Sequence, residues 1–348
     1  MAKIIEFFGL DFGDYSLKLS YTKRSGNKVT LESLASGLTK IGLLGNDSEE
    51  GIDEIAETVK EIHERSGVNT KNCVFSIPEQ SVFSRLLVVP EVDEENINDA
   101  IHWGIKPLVP TSLDNVSIAF TNIDKKELNG KPYINWYVVA APKERIKFYR
   151  KIATKAGLNL LAIETEALAT ARLVTFSTGQ KEDILILDFG ADNSNIILAR
   201  KGISIYSQTL STGSSSINKI LSADFGFDDA KAEQLKLQFA NQTPENIQKI
   251  AKAIEPITQM LISEISRTLV YYKEKLGKSE INTVYLTGGG AKLYMLDKMI
   301  KDALGINAVL VDPINNMSLT TQAKKIVQTT NVHSYNVALG LSLKGLVI

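Results

Sequence analysis

The chain has 348 residues, and its 39 Lys and Arg against 40 Asp and Glu leave a formal net charge of −1, no electrostatic case for a nucleic-acid backbone or an anionic membrane as main partner. The single cysteine, Cys73, excludes an intramolecular disulfide framework and a cysteine-rich zinc site, and the scattered histidines His63, His102 and His333 argue against a histidine metal centre. Glu6 and Asp11 interrupt the N-terminal apolar stretch, and no apolar run reaches the roughly 18 residues of a membrane span, so the reading is a soluble, intracellular protein of about two domains.

Strand-like and helix-like segments alternate along the chain, which points to the α/β class. Residues 4–10 and 17–22 read as strands around a glycine-containing turn, with Arg24-Ser25-Gly26-Asn27 as the next turn. Ile52, Ile55, Ala56, Val59 and Ile62 fall at helical spacing, with Gly67 as the stop, and residues 73–77 form a short strand closed by Pro78. From Ser81 the pattern changes. Residues 81–89 read as a strand, and Asp93 caps a helix carrying Ile97, Ile101 and Ile105. Residues 115–122 and 133–140 are strands around an Asn129-Gly130 turn, and a helix begins at Lys143 with Ile146, Tyr149, Ile152 and Ala153 inward. This block reads as a small α+β unit inserted into a larger frame. Residues 184–187 are a buried central strand. Thr243-Pro244 caps a long helix with the apolar stripe Ile247, Ile250, Ile254, Ile257, Leu261 and Ile265, and Pro256 predicts a kink or break in it. Residues 283–287 are a strand, followed by a glycine triplet and a helix over 291–304.

The segment Phe8-Gly9-Leu10-Asp11-Phe12-Gly13 is repeated, half a chain later, as Leu185-Ile186-Leu187-Asp188-Phe189-Gly190. Each copy is an apolar strand ending in Asp-x-Gly, then a polar turn and a second strand. One copy alone reads as a simple hairpin; the pair suggests two related halves closing on one ligand. A protein-kinase Asp-Phe-Gly reading fails, because no His-Arg-Asp loop accompanies it. Glycine lets backbone amides approach anionic oxygens, an Asp at each strand end suits Mg²⁺ held through water, and Lys18 adds a compact positive charge. The later Val284-Tyr285-Leu286-Thr287-Gly288-Gly289-Gly290-Ala291 brings a strand end and a helix start together.

Two Asp-x-Gly hairpins and a distal strand–Gly-Gly-Gly turn, in this order, resemble the phosphate 1, phosphate 2 and adenosine motifs of the actin-like ATPase superfamily. Residues 164–174 and 334–344 resemble its two connecting helices. Within the superfamily the chain resembles the type IV pilus assembly PilM family, related to the division protein FtsA. The likeness includes Val82-Phe83-Ser84-Arg85, Ala100-Ile101-His102-Trp103, Ala140-Ala141-Pro142-Lys143-Glu144 and Ala338-Leu339-Gly340-Leu341. The resemblance implies an α/β, actin-like ATPase fold: two related, ribonuclease H-like lobes with an inserted small α+β unit, the 1C-like subdomain. It places residues 1–78 and 160–180 in the first lobe (1A), 79–159 in the insert, and 181–348 in the second lobe (2A/2B).

The resemblance further implies ATP and Mg²⁺ as ligands. Asp11 and Asp188 flank the metal. Gly13, Asp14, Tyr15, Ser16, Lys18, Gly190, Asn193, Ser194, Gly213 and Ser214 surround the phosphates, Glu233 and Lys236 take the ribose and adenine, and Gly288, Gly289 and Gly290 pass beside the adenosine. Glu166 takes the position that orients attacking water. Two positions depart from the family: Asp14 replaces a small hydroxyl residue, and Tyr294-Met295 replaces the more usual Pro-Gly, so ATP binding is better supported than hydrolysis. The implied partner is the cytoplasmic N-terminal tail of a PilN-like membrane protein, docked between the 1A-like and 1C-like units. The implied location is cytoplasmic, at the inner membrane through that partner, with no nucleic acid, no membrane insertion and self-association allowed. An FtsA-like division protein is the alternative; it calls for a basic amphipathic tail that Leu343-Lys344-Gly345-Leu346-Val347-Ile348 does not supply. A metabolic kinase would need a catalytic Asp and a larger insert, for which no segment is evident.

Overall fold

The computed structural model describes residues 5–13, 15–39, 42–276 and 280–347. Asp14 and the start of the expected 4–10 strand lie outside the described residues. The chain begins with β1 (Phe8–Phe12), β2 (Ser16–Ser25) and β3 (Lys28–Leu38), then α1 (Glu49–Ser66) and β4 (Asn72–Ile77). Ser48 caps α1 through the Gly51 amide, and Gly67 ends it at φ 69°, where a Cβ would be strained. Next come β5 (Phe83–Pro90), α2 (Ile97–Ile105), β6 (Val116–Leu128) and β7 (Lys131–Pro142), then α3 (Lys143–Lys155), β8 (Asn159–Thr165) and α4 (Glu166–Thr178). The second half supplies β9 (Ile184–Phe189), β10 (Ser194–Arg200), β11 (Ile203–Leu210), α5 (Ser214–Phe225), α6 (Asp229–Leu237) and α7 (Pro244–Tyr271). It closes with β12 (Thr283–Thr287), α8 (Leu296–Leu304), β13 (Asn307–Leu310), β14 (Met317–Leu319), α9 (Thr321–Thr329) and α10 (Asn336–Ser342).

The two halves repeat one topology. The first sheet runs β3-β2-β1-β4-β8 and the second β11-β10-β9-β12-β13. In each, the first three strands pair antiparallel and the last two add in parallel. Parallel strands buried on both faces need continuous apolar runs, which is what Ile184–Phe189 supplies. The 3-stranded sheet β5-β7-β6 stands apart, covered by α2 through Ile101 and Ile105.

Three boundaries differ from the sequence reading. Helix α3, expected inside the insert, buries Phe148, Tyr149 and Ile152 in the first lobe's core, because its apolar stripe packs on α1 and β8, with Val139 and Ala141 of β7 only at the margin of that core. Residues 317–347, expected in the second lobe, return to the first: β14 adds in parallel to β3, and Leu339 and Leu343 pack with Val29, Leu31 and Leu173. Glu164 still belongs to β8, which runs to Thr165; the helix expected from there starts at Glu166, where Thr165 accepts from the Leu168 amide.

Two local expectations also change. α7 runs unbroken through Pro256, since Ile250, Ile254, Ile257, Leu261 and Ile265 on both sides of it share one buried core. The helix expected over 291–304 starts only at Leu296, because Met295 sits at φ 66°. β3 gave no recognised signal: its Gly37 and alternating small residues blur the two-residue period.

The lobes meet through α4 and α10. Ala169 of α4 and Gly340 of α10 touch backbone to backbone, and a Cβ on Gly340 would lie 2.0 Å from the Ala169 carbonyl oxygen. Arg172 donates to the Gly340 carbonyl at 2.7 Å and pairs with the buried Glu164 at 2.9 Å.

Candidate functional site

β1 and β9 hold the same place in the two sheets, so the Asp one residue before the end of each arrives at the same cleft. Asp11 and Asp188 both line this cleft, which encloses about 170 Å³. Gly13, Tyr15, Lys18, Glu166, Gly190, Asn193, Ser214, Gly288 and Gly289 line it with them. Ser76 fixes Asp11, taking the Phe12 amide at 2.8 Å and donating to Asp11 Oδ1 at 3.1 Å. Asp188 receives the Thr170 hydroxyl at 3.5 Å, and Asn336 donates to Thr170 at 3.3 Å. Burial is the main force on the Asp188 carboxyl; opposed by the Asn336 and Thr170 hydrogen bonds and by Lys18, and helped by the Asp11 charge, it pushes the pKa up to about 6.

Gly288 belongs here for a steric reason. Its φ is +90°, and a Cβ would fall 2.4 Å from Asp188 Oδ1 and 2.6 Å from the Phe189 carbonyl oxygen. Tyr15 of the first lobe lines the cleft beside Asp192 of the second, and burial, then the Asp192 charge, raise its pKa. The Ser214 and Ser215 amides that open α5 already bond to the Gly190 and Ala191 carbonyls at 3.0 and 2.9 Å, which fixes the second hairpin against that helix.

The remaining described residues of the expected set are not part of the lining. Ser16 offers its carbonyl to the Lys18 ammonium at 3.5 Å. Ser194 turns away, its hydroxyl donating to the Thr212 carbonyl at 2.5 Å. Gly213 gives passage to the hairpin, since a Cβ there would meet the Ala191 carbonyl at 2.1 Å. Gly290 donates its amide to the Phe189 carbonyl at 2.8 Å. Glu233 accepts from Asn218 at 2.7 Å and pairs with Lys236 at 2.6 Å, and Lys236 reaches the Ser214 carbonyl at 3.2 Å. The sequence reading missed four polar lining residues: Asp192, Asn195, Ser334 and Asn336. Asp192 and Asn195 follow the second Asp-Phe-Gly, in its turn and second strand, and were within reach; Ser334 and Asn336 arrive from the far end of the chain, inside the segment read as a connecting helix but with no signal of their own for the site.

A second concavity of about 380 Å³ separates the 3-stranded sheet from the first lobe. Ile118, Phe120 and Val139 form one wall, Leu160, Leu161 and Ile163 the other, with Arg150 and Lys344 at its rim. Two sheet edges border it: β6 ends the small sheet and β8 ends the first-lobe sheet. Unpaired edges beside apolar side chains are the ingredients for seating an extended peptide.

A family model for type IV pilus assembly protein PilM matches residues 9–346. The chain belongs to the PilM family. Among solved structures, a "PilM-PilN type IV pilus biogenesis complex" matches with a TM-score of 0.83 at 24% identity, covering 99% of this chain and 99% of that chain. The ethanolamine utilization protein EutJ from Carboxydothermus hydrogenoformans matches at 0.57 and 15% identity, covering 98% of this chain and 90% of that one. These likenesses show the actin-like ATPase fold. Membership of the PilM family identifies an actin-like component of the pilus assembly machinery and does not favour the division-protein alternative. No helix among the described residues is long and apolar enough to cross a membrane.

Proposed function

We propose that this PilM-family chain binds ATP with Mg²⁺ in the cleft between its lobes and docks the cytoplasmic N-terminal tail of a PilN-like membrane protein in the groove beside β6 and β8. The observation that carries the first half is the meeting of two symmetry-related carboxylates, Asp11 and Asp188, with Lys18 and backed by glycines in one cleft. That donor set fits the ligand. Two carboxylates suit a hard cation that keeps most of its water, Lys18 suits a phosphate, and Gly288 leaves open the approach that a side chain would fill. Bound Mg²⁺ would neutralise phosphate charge; Asp11 and Asp188 would hold it through water, and Ser76 and Thr170 hold those carboxylates. Glu166, on the first turn of α4, faces the cleft and would orient a water.

The second half is supported by membership of the family and by the likeness to a solved PilM–PilN complex. Recruitment through that tail would bring the chain to the cytoplasmic face of the inner membrane. Calorimetric titration of the chain with Mg–ATP and with the tail peptide tests both halves, and absence of both heats overturns the reading. Ala119→Arg, which sets a cation into the groove wall, is expected to weaken peptide binding at least about ten-fold, the cost of an unpaired charge in an apolar contact, while ATP binding stays unchanged.

A further inference from the structure

The inserted unit leaves the first lobe after β4 and returns to it at Pro142, yet its polar anchors reach the second lobe. Arg200 at the end of β10 clasps Asp183 with Nε at 2.8 Å and Nη2 at 2.6 Å, and sends Nη1 to Asp124 of β6 at 2.9 Å. The Tyr272 hydroxyl donates to Asp183 at 2.9 Å, and Asn135 of β7 donates to Asp124. The Arg200, Asp124 and Asp183 side chains are only 17%, 24% and 13% exposed, so this network is largely withdrawn from water, unlike a surface ion pair. A β-bulge between Asn122 and Asp124 re-aims the intervening side chain, and Ile123 joins the second lobe's core together with Tyr137. At the other end of the insert, Glu79 accepts from Ser84 of β5 and from Ser207 of β11, both at 2.7 Å. Towards the first lobe the insert faces the groove, where Tyr137 meets Thr165 at 3.4 Å.

The cleft and the groove lie back to back on shared elements. Residues 76–79 carry Ser76 on Asp11, Ile77 in the groove and Glu79 on Ser207. In α4, Glu166 lines the cleft and Leu168 the groove. The cleft encloses about 170 Å³, whereas small-molecule sites span roughly 300–1,000 Å³. A whole nucleotide needs more room than that, which a shift of the lobes would supply.

We propose that the Arg200–Asp124 and Glu79–Ser207 contacts latch the inserted unit to the second lobe, so that it follows that lobe when nucleotide enters and thereby resets the width of the groove for an extended peptide. The groove's role in this statement rests on the function proposed above; the latch itself does not. Coupling of this kind between two sites changes affinity by about 5–150-fold and is reciprocal.

The latch is broken by Asp124→Asn with Ser207→Ala in the full chain; Ser207→Ala alone is the milder second variant. Cys73 is buried, so spin labels introduced by Leu128→Cys in the insert, Lys252→Cys in the second lobe and Lys60→Cys in the first report distances selectively. Without ligand, the 128–252 distance distribution is expected to be narrow in the latched chain and broadened in the unlatched one; equal widths overturn the proposal. With Mg–ATP, the latched chain is expected to change its 128–60 distance and keep 128–252; the reverse overturns it. The tail peptide's Kd is expected to change at least about five-fold with Mg–ATP in the latched chain and less than about two-fold in the unlatched one. An identical ratio in both chains overturns the latch. Loss of peptide and ATP binding in the wild type overturns the proposed function instead, and the ligand-free distances still decide the latch.

Discussion

Asp188→Asn is expected to raise the stability of the ligand-free chain at neutral pH while abolishing its affinity for Mg–ATP. The carboxyl is buried and its pKa stands at about 6, above the ordinary 3.8. Between those values the folded chain holds more protons than the unfolded one, so stability falls as pH rises from about 4 to about 6 and is level beyond. Above that window the buried carboxylate costs about 2–3 kcal/mol, at 1.36 kcal/mol per pH unit. Asparagine has the same shape, carries no charge and still offers an oxygen to Thr170. Thermal melts from pH 4 to pH 8 check this: the wild type should lose stability across pH 4–6 relative to the variant, and the variant should melt higher at pH 7.5. A variant that melts lower at pH 7.5 would show that the carboxylate is stabilised by its surroundings. Calorimetry with Mg–ATP supplies the other half, where unchanged affinity would remove Asp188 from the metal site. If both results hold, Asp188 surrenders stability for the proposed ligand, the usual trade between rigidity and function.

Gly340→Val is expected to be the most destabilising single change at the junction of the lobes. The new Cβ would stand 2.0 Å from the Ala169 carbonyl oxygen and 2.5 Å from its carbon. Backbone cannot swing aside as a flexible side chain can, so α4 and α10 must separate by more than a bond length. Overpacking of this kind costs about 3 kcal/mol or more. The damage would spread to the cleft, because Thr170 of α4 and Asn336 of α10 together support Asp188. A fall in denaturation midpoint with an accompanying loss of Mg–ATP affinity is the expected result. An unfolding free energy within about 0.5 kcal/mol of wild type would show that the helices part freely.

The cleft was legible because its chemistry is local. Asp11-Phe12-Gly13 and Asp188-Phe189-Gly190 each close a strand at the same place in its own sheet, and the packing of the two lobes brings both to one cleft. Gly288 and Gly290 were legible for the same reason: the close approach of Asp188, Phe189 and Ser214 leaves little room for a side chain at either. Ser194 and Gly213 had the right composition but act on the hairpin's own backbone, and spacing does not reveal which way a hydroxyl turns. Glu233 and Lys236 pair as their i, i+3 spacing predicts, while their link to the cleft passes through the Ser214 carbonyl, which only packing sets.

The sequence by itself determined the α/β class, the duplication, the inserted unit and the residues whose neighbours in space are also neighbours in sequence, since hydrophobic period, turn chemistry and glycine placement are short-range properties. Tertiary structure alone decided that residues 317–347 close the first lobe and that α3 packs into its core. It also decided that Arg200 reaches across to Asp124. Those outcomes turn on which of several apolar faces finds its complement and on where long charged side chains end, and both are settled by competition among distant surfaces that no local pattern encodes.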